Sequence, residues 1–349
     1  MDARPYLLDL DRDELRRHVA EFGMPGYRAD QLLSWVHGRA ESDLEAMSDL
    51  SRDHRRVLGD CVRMPEGRAV EHQIASDGVQ KLLVAWGDGP QGATQAECVM
   101  IPAEGSGRER RTACVSSQAG CPVGCRFCAS GIGGLEKNLS AGQIVEQVWL
   151  LNRLGAGKIS HVVFMGMGEP LANFDQVVRA VKILMSDWAT GLSGRRITVS
   201  TVGLPAQIRR LARLDLPLTL AISLHAPNDD VRRALIPWAK QVSIEQLVDA
   251  GRDYFERTGR EVTLEYILLR QVNDRPEHAH ELARVAEQLR SNVNLIRYNE
   301  VKGLDFSRPA SEDVYLFQEI LRRAGVNCHI RASRGRDIAA ACGQLRHEK

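Results

Sequence analysis

The sequence lacks any long uninterrupted hydrophobic run. None of its stretches approaches the roughly 20 consecutive apolar residues that a helix needs to cross a membrane. Its first residues, MDARPYLLDLDRDELRR, also lack the apolar segment of a secretory signal. We therefore expect a soluble cytoplasmic protein that has no membrane partner and acts as a monomer.

A strong excess of charge is also missing. The net charge is +1, and only seven of the 46 basic residues are lysines. Arginine grips phosphates with paired hydrogen bonds and stacks on bases, which would suit an RNA partner. Codon usage in a GC-rich genome explains an arginine-rich chain equally well. Composition therefore leaves the partner open.

Cysteines are few, but half of them are crowded together. The chain has eight, and four fall between positions 114 and 128. A disulfide scaffold is unexpected without a secretion signal, so the crowding indicates metal or redox chemistry.

The order of apolar patterns predicts three regions. Residues 1–65 have the periodicity of short helices, which favours a small helical accessory domain. Residues 66–112 contain two strand-like runs joined by a glycine-rich stretch, which predicts a β-hairpin connection. From 113 to 349, six strand patterns alternate with helical patterns, starting near residues 113, 161, 197, 218, 262 and 294. Such alternation predicts an α/β fold, a partial (βα)6 barrel whose active site lies after the carboxyl ends of the strands.

The most specific motif is CPVGCRFC, which directly follows the first strand of this alternation. It spaces Cys121, Cys125 and Cys128 as C-x3-C-x2-C. Three thiolates on one loop can hold three irons of a [4Fe–4S] cluster and leave the fourth open to a small molecule, here the amino and carboxylate groups of S-adenosylmethionine (SAM). Zinc is the alternative, but structural zinc sites take four ligands, usually in C-x2-C pairs.

A second motif, GMGEP, follows the second strand of the alternation. Its glycines expose backbone groups, and Glu169 can accept a hydrogen bond from an ammonium group. Its position one β-α unit after the cysteine loop suits the methionine end of SAM.

Four segments together resemble the RlmN/Cfr family of radical SAM RNA methyltransferases: CVSSQAGCPVGCRFC, GMGEPL, SLHAPN and RGRDIAAACGQL. The segment RADQLLSW near the N-terminus is similar to the RlmN branch of that family. The resemblance covers nearly the whole chain and implies that residues 1–65 bind RNA.

The resemblance implies a route for methylating an electron-poor adenine carbon. One SAM would methylate the carrier Cys342, and a second SAM, cleaved at the cluster, would activate that methyl group for addition to adenine. Cys114 would then release the product by forming a disulfide with Cys342, and Glu97 would accept the ring proton. Without the resemblance, Cys342 and Cys114 would be interpreted as buried small hydrophobes and Glu97 as a solvated carboxylate.

The same resemblance implies a set of SAM contacts at or just after strand ends. They are Gly168, Glu169, Ser200, Ser223, Leu224, His225 and Asn299. Taken alone, His225 would more often be a hydrogen-bonded structural histidine.

Family substrates imply that the partner is 23S rRNA, with tRNA as a second substrate and a one-electron donor such as a flavodoxin. Carbon-2 of adenine is the expected position. The alternatives are carbon-8 methylation of the Cfr type, the same chemistry on another RNA, a radical SAM enzyme for small molecules or proteins, and a non-catalytic iron–sulfur RNA-binding protein. The chain departs from the family pattern at Glu300, at Arg336 and in the STVG turn, which bears on RNA docking and cofactor geometry more than on the reaction.

Overall fold

The computed structural model describes residues 2–87, 94–103, 110–155 and 157–345. The glycine-rich connection expected near residues 87–93 falls mainly outside this part of the chain. No helix of the described residues is both long enough and apolar enough to span a membrane.

The N-terminal region is helical. Its α-helices are α1 (Arg12–Glu21), α2 (Tyr27–Leu33) and α3 (Arg52–Cys61), and α2 continues into a π-helical turn at Ser34–Gly38. Asp11 and Glu14 form a capping box that starts α1, because each side chain accepts a backbone N–H of the other residue. Leu32, Leu33 and Val36 form a buried apolar stripe along α2 and the π-helical turn, and Trp35 beside them is half-buried.

Three strands then lead into the core. They are β1 (Arg68–Ile74), β2 (Gln80–Trp86) and β3 (Thr94–Pro102), joined in antiparallel order. The sequence predicted β2 and β3 but missed β1, whose seven residues are all exposed and give no apolar alternation. The three strands continue directly into the main sheet, because β3 pairs with the next strand, where Val99 lies opposite Cys114.

The main sheet has seven parallel strands. They are β4 (Arg111–Cys114), β7 (His161–Phe164), β8 (Ile197–Thr201), β9 (Thr219–Ser223), β10 (Val262–Leu268), β11 (Ser291–Arg297) and β12 (Cys328–Arg331). A separate hairpin of β5 (Gln118–Gly120) and β6 (Leu135–Asn138) flanks the cysteine loop. The order β4-β7-β8-β9-β10-β11-β12 is open at β12, so the expected partial barrel is confirmed with one parallel strand more than the six predicted.

The seventh strand was missed because it is short and only one of its four residues is buried. The central strand β10, in contrast, is buried along all seven residues, as expected where helices cover a parallel sheet.

Helices connect the strands. They are α4 (Ala141–Arg153), α5 (Phe174–Met185), α6 (Pro205–Ala212), α7 (Asp229–Leu235), α8 (Ile244–Thr258), α9 (Pro276–Ala286) and α10 (Ser311–Arg323). The capping box predicted at Ser140 and Gln143 is present at the start of α4. The short helix α7 was not predicted.

The N-terminal region is joined to the core through a buried carboxylate. Glu146 of α4 accepts hydrogen bonds from the Tyr6 hydroxyl at 2.5 Å, the Trp86 indole at 2.5 Å and the Gly67 amide at 2.7 Å. Burial raises the pKa of Glu146, and the three donors oppose that shift. One core side chain thus ties together the N-terminal segment, β1 and β2.

Candidate active site

A cavity lies where the parallel strands end, as expected for a barrel of this type. Its walls include the end of β7, the ends of β8 to β12 and the cysteine loop. The predicted site residues that line it are Cys121, Cys125, Cys128, Gly168, Glu169, Ser200, Ser223, His225 and Cys342. We call this the cofactor cavity.

The cysteine loop is held on both sides by backbone hydrogen bonds. The Arg126 amide donates to the Leu235 carbonyl at 3.0 Å, and the Ala129 amide donates to the Gly343 carbonyl at 2.8 Å. Phe127 is buried, and its ring meets the imidazole of His225 edge-on at 5.1 Å between centroids. These contacts fix the loop between α7 and the C-terminal tail.

The three thiols suit an iron–sulfur cluster. Burial raises the pKa of all three, to about 12 for Cys121, so thiolates at this position need a metal cation beside them. No three His, Cys, Asp or Glu side chains of the described residues are arranged to hold one metal ion. Ligands of a cubane cluster bind different irons and do not converge on a single ion.

Glu169 is positioned for a cation. Its carboxylate is buried and accepts the amides of Leu171 at 2.9 Å and Val202 at 2.7 Å. Burial raises the pKa of Glu169 to about 7, against the effect of these hydrogen bonds. A buried carboxyl group with a pKa near neutral pH becomes more fully ionised when an ammonium group binds beside it.

The glycines of GMGEP allow the turn to approach its neighbours. Gly168 has φ +100°, and a Cβ atom there would lie 2.6 Å from the Cβ of Gln118. A Cβ atom on Gly166 would lie 2.7 Å from the Ser116 hydroxyl. Only glycine therefore fits both positions.

His225 is a buried, neutral histidine. Its Nδ1 accepts the amide of Ile267 at 3.1 Å, which leaves the ring hydrogen on Nε2. Burial, together with the nearby Arg232, lowers the pKa of His225 to about 3. Its φ of +57° is rare for a side chain with a Cβ atom and is typical of functional positions. Nearby, the hydroxyls of Ser200 and Ser223 lie 3.3 Å apart.

A second cavity adjoins the first. Cys114 and Cys342 both line it, and Cys342, Met165, Ile296 and Arg331 line both cavities. We call this the thiol cavity. Cys114 is buried on β4, whereas Cys342 is partly exposed in the tail, and all eight cysteines of the chain are free. The disulfide implied by the resemblance is therefore not present in this structure.

Arg331, at the end of the missed strand β12, is a site residue that sequence reasoning overlooked. One of its guanidinium nitrogens lies 4.0 Å from Glu265 and 3.4 Å from the sulfur of Met165. The nearby Cys342 and then Glu265 raise the pKa of Arg331. The signal that could have identified it is its place at a strand end.

The tail that carries Cys342 is anchored to the β1–β2 turn. Asp77 accepts hydrogen bonds from the Gly335 amide at 2.9 Å and from the Arg334 side chain at 3.0 Å. Asp337 accepts the Ser76 amide at 2.8 Å. The hairpin region therefore holds the tail in position.

Glu97 lies behind the thiol cavity and does not line it or the cofactor cavity. It is buried and forms an ion pair with Lys81 at 2.8 Å. Val99 lies opposite Cys114 in the ladder, so Glu97, two residues earlier on β3, faces the same side as Cys114. Lys81 also donates to the Ala339 carbonyl of the tail at 3.4 Å.

Two predicted SAM contacts lie outside the lining of the cofactor cavity. Asn299 lines the thiol cavity instead, and its side-chain amide donates to the Cys342 carbonyl at 3.2 Å. Its carbonyl oxygen is buried without a partner. Leu224 lies between the lining residues Ser223 and His225 and is itself buried in the core.

Cys61, Cys98 and Cys328, which match no functional position, are all buried, and none lines either cavity. Their burial away from both cavities indicates a structural role in packing.

Comparisons with known proteins agree with this geometry. The model of the radical SAM superfamily matches residues 115–283, and the model of the ribosomal RNA large subunit methyltransferase N-terminal domain matches residues 6–63. The chain is 45% identical to a "Probable dual-specificity RNA methyltransferase RlmN" of Gloeobacter violaceus, over 97% of this chain and 94% of the relative. It is 43% identical to the "Ribosomal RNA large subunit methyltransferase N" of Nitrosopumilus maritimus, over 96% of each.

A solved structure has the same fold throughout. The crystal structure of a radical SAM methyltransferase from Sphaerobacter thermophilus superposes with a TM-score of 0.93 at 40% identity, over 99% of this chain and 100% of that one. The resemblance drawn from the cysteine loop, GMGEP and the tail motif is therefore confirmed. The chain belongs to the RlmN family of radical SAM RNA methyltransferases.

Proposed function

We propose that this protein transfers a methyl group to carbon-2 of an adenosine in 23S rRNA through a methylated Cys342. The observation that carries the proposal is the shared wall of the two cavities. Cys342 lines both of them, so one thiol can face the cofactor on one side and Cys114 on the other.

The cofactor cavity has the groups that SAM and a cluster need. Cys121, Cys125 and Cys128 would hold a [4Fe–4S] cluster, which supplies one-electron cleavage of SAM when bound. Glu169 would accept a hydrogen bond from the ammonium group of SAM. The backbone amides of Leu171 and Val202 hold its carboxylate in the cavity wall. The neutral His225 would offer its Nε2–H as a hydrogen-bond donor.

The thiol cavity would carry the methyl group. Cys342, as a thiolate, accepts the methyl of one SAM to form a thioether, and S-adenosylhomocysteine leaves. After the methyl carbon has bonded to the adenine, the Cys114 thiolate attacks the Cys342 sulfur. A sulfur–sulfur bond would form as the bond from that sulfur to the product carbon breaks. The product carbon would keep the bonding pair and take up a proton, and the unpaired electron left by the radical step would pass back to the oxidised cluster. Arg331 lines the thiol cavity together with both thiols; burial raises the pKa of Cys114, and the charge of Arg331 opposes that shift.

Glu97 is the proposed acceptor of the adenine ring proton. Lys81 pairs with it inside the protein, which favours the carboxylate that a base requires. Because Glu97 lies behind the thiol cavity, we expect the carboxylate to act on an adduct that reaches deep into that cavity.

RNA access would be from the side of the tail. The adenosine must leave its stack to reach Cys342, as in other enzymes that act on a base. Arg297, Arg308 and Arg336 lie near the tail, and none of them forms an ion pair among the described residues. They can bind phosphates that flank the target. The helical N-terminal region is the proposed second RNA contact.

The remaining partners follow from the family. Two SAM molecules are consumed per turnover, one for methylating Cys342 and one for the radical step, and a one-electron donor such as a flavodoxin supplies the electron. The relatives named dual-specificity RNA methyltransferases support a second RNA substrate, for which we propose tRNA. We propose that the enzyme acts as a monomer in the cytoplasm.

The test uses the full-length protein, reconstituted anaerobically with iron and sulfide. It is incubated with SAM, a reductant and protein-free 23S rRNA, and the digested nucleosides are separated by mass spectrometry. We expect 2-methyladenosine, with tRNA tested in parallel. The product 8-methyladenosine would replace the carbon-2 proposal with the Cfr-type reaction. Release of 5′-deoxyadenosine without a methylated nucleoside would overturn 23S rRNA as the substrate. A protein that holds the cluster but cleaves no SAM would overturn the radical mechanism.

A further inference from the structure

Arg232 on α7 is a buried cation that neither the motifs nor the proposed mechanism uses. It is 1% exposed, and Arg232 and Lys81 are the two basic residues that are buried in the described part of the chain. Lys81 is paired with Glu97, but no carboxylate lies within ion-pair distance of Arg232 among the described residues. A buried charge without a counter-ion is costly, which makes its presence informative.

The guanidinium is held only by backbone carbonyls. It donates to the oxygens of Val202 at 2.5 Å, Leu224 at 3.3 Å and Val242 at 3.3 Å. These bonds use three of its five N–H donors and bring no negative charge next to it. Arg232 also keeps its charge near neutral pH, because burial lowers its pKa only to about 10.

The carbonyls place this charge directly behind the cofactor cavity. Val202 donates its N–H to Glu169 and accepts from Arg232 through its carbonyl oxygen, so the two charged groups bind two consecutive peptide groups of the same cavity-lining residue. Leu224 precedes the lining residue His225. Leu235, on the same helix, accepts the amide of Arg126 in the cysteine loop. Burial lowers the pKa of Arg232, whereas its neighbours Cys125, which would be a thiolate once it binds iron, and Asp229 raise it.

We propose that Arg232 is the fixed counter-charge of the iron–sulfur cluster and raises its reduction potential. The inference rests on the cluster of the proposed function, but not on the RNA substrate or on the methyl-cysteine route. When the cluster accepts one electron from the donor, it gains one negative charge and no atom is transferred. A buried positive charge nearby stabilises the reduced form more than the oxidised form. Arg232 therefore acts as a positioning residue, through the electrostatic field at Cys125.

The test is a redox titration of the reconstituted protein without RNA, followed by electron paramagnetic resonance of the reduced cluster. In Arg232→Met, we expect the ratio of reduced to oxidised cluster at a fixed potential to fall at least tenfold, which equals a shift of 59 mV for one electron. Arg232→Lys keeps the charge and should retain most of the potential. The matched control is Arg252→Met, because Arg252 lies on the neighbouring helix α8, is 47% exposed and pairs with Asp249.

Asp229→Asn makes the proposal testable even if Arg232→Met does not fold or does not hold a cluster. Asp229 accepts the Ile244 amide at 2.9 Å, and asparagine can keep that bond while it loses the charge. Removing this anion should shift the potential in the positive direction, by less than the Arg232→Met shift because Asp229 is 30% exposed. An unchanged potential in Arg232→Met with an intact cluster would overturn the proposal. A negative or absent shift in Asp229→Asn would also overturn it.

These outcomes are separate from the test of the substrate. A wild-type enzyme that methylates no adenosine could still show the Arg232 effect, since the titration contains no RNA. An enzyme that makes 2-methyladenosine could equally show no change in reduction potential when Arg232 is replaced.

Discussion

The two cavities of the active site are built differently. The cofactor cavity is lined mainly by strand ends and by the turns that follow them, and Cys342 and Gly343 of the tail complete its wall. The thiol cavity combines residues of β3, β4, β11 and β12 with the tail. As far as the structure describes the tail after β12, its one regular element is the 3-10 turn Arg336–Ile338. The rigid sheet thus holds the cofactor groups, whereas the position of the carrier thiol depends on how the tail is anchored.

This difference implies that the two halves of the reaction can be separated by mutation. Changes around the tail should leave SAM binding and cleavage in place and remove methyl transfer. Changes in the cofactor cavity should remove both.

The largest expected effect is that of Cys342→Ala. Methylation should fall by more than about 1,000-fold, because the carrier of the methyl group is lost. SAM cleavage should be retained, since the cofactor cavity keeps its strands. The methylated nucleoside and 5′-deoxyadenosine are measured in the same reaction. The control is Cys328→Ala, which removes a buried cysteine of β12. Product formation at the wild-type level would contradict the carrier role.

Cys114→Ala should stop the reaction one step later. Without the thiol that attacks Cys342, the RNA should stay attached to the protein, as a covalent adduct visible on a denaturing gel. Cys98→Ala, which changes a buried cysteine on the adjacent strand β3, should release its product normally. If no adduct forms while Cys342 becomes methylated, Cys114 is not the resolving residue.

Lys81→Met should reduce methylation by about 10- to 100-fold, the range typical of residues that support a catalytic group. Loss of its charge raises the pKa of Glu97, so the pH profile of the reaction should shift to higher pH. Lys81→Arg should restore much of the rate, and the exposed Lys182→Met is the control. A lower rate with an unchanged pH profile would assign Lys81 a structural role only. Melting curves of each variant record the stability cost of losing this buried ion pair.

The smallest effect is expected for Asp77→Ala, which removes the main anchor of the tail. Methyl transfer should fall about tenfold, because the Cys342 loop becomes less well positioned. SAM cleavage should be unchanged. Asp230→Ala, at a side chain that is 96% exposed, is the control. Equal losses of cleavage and methyl transfer would show that the two cavities are not independent.

Much of the cofactor cavity could be predicted from the sequence. The spacing of Cys121, Cys125 and Cys128 encodes cluster ligands within one loop, and GMGEP encodes a tight turn at a strand end. Six of the seven parallel strands were also predicted, because their apolar patterns are strong. The missed strand β1 is exposed along its length, and only one of the four residues of β12 is buried. The turn that follows β1 anchors the tail, and β12 ends at Arg331.

The tertiary structure decided the rest. No periodicity links Cys114 to Cys342, Lys81 to Glu97 or Arg232 to Val202, since the partners are distant in the chain and meet only when the sheet forms. The sequence by itself determined the cluster loop, the strand-end turns and the family, because those signals are local. Only packing decided which buried charges are paired and which thiols share a cavity, because burial and proximity arise from the whole fold.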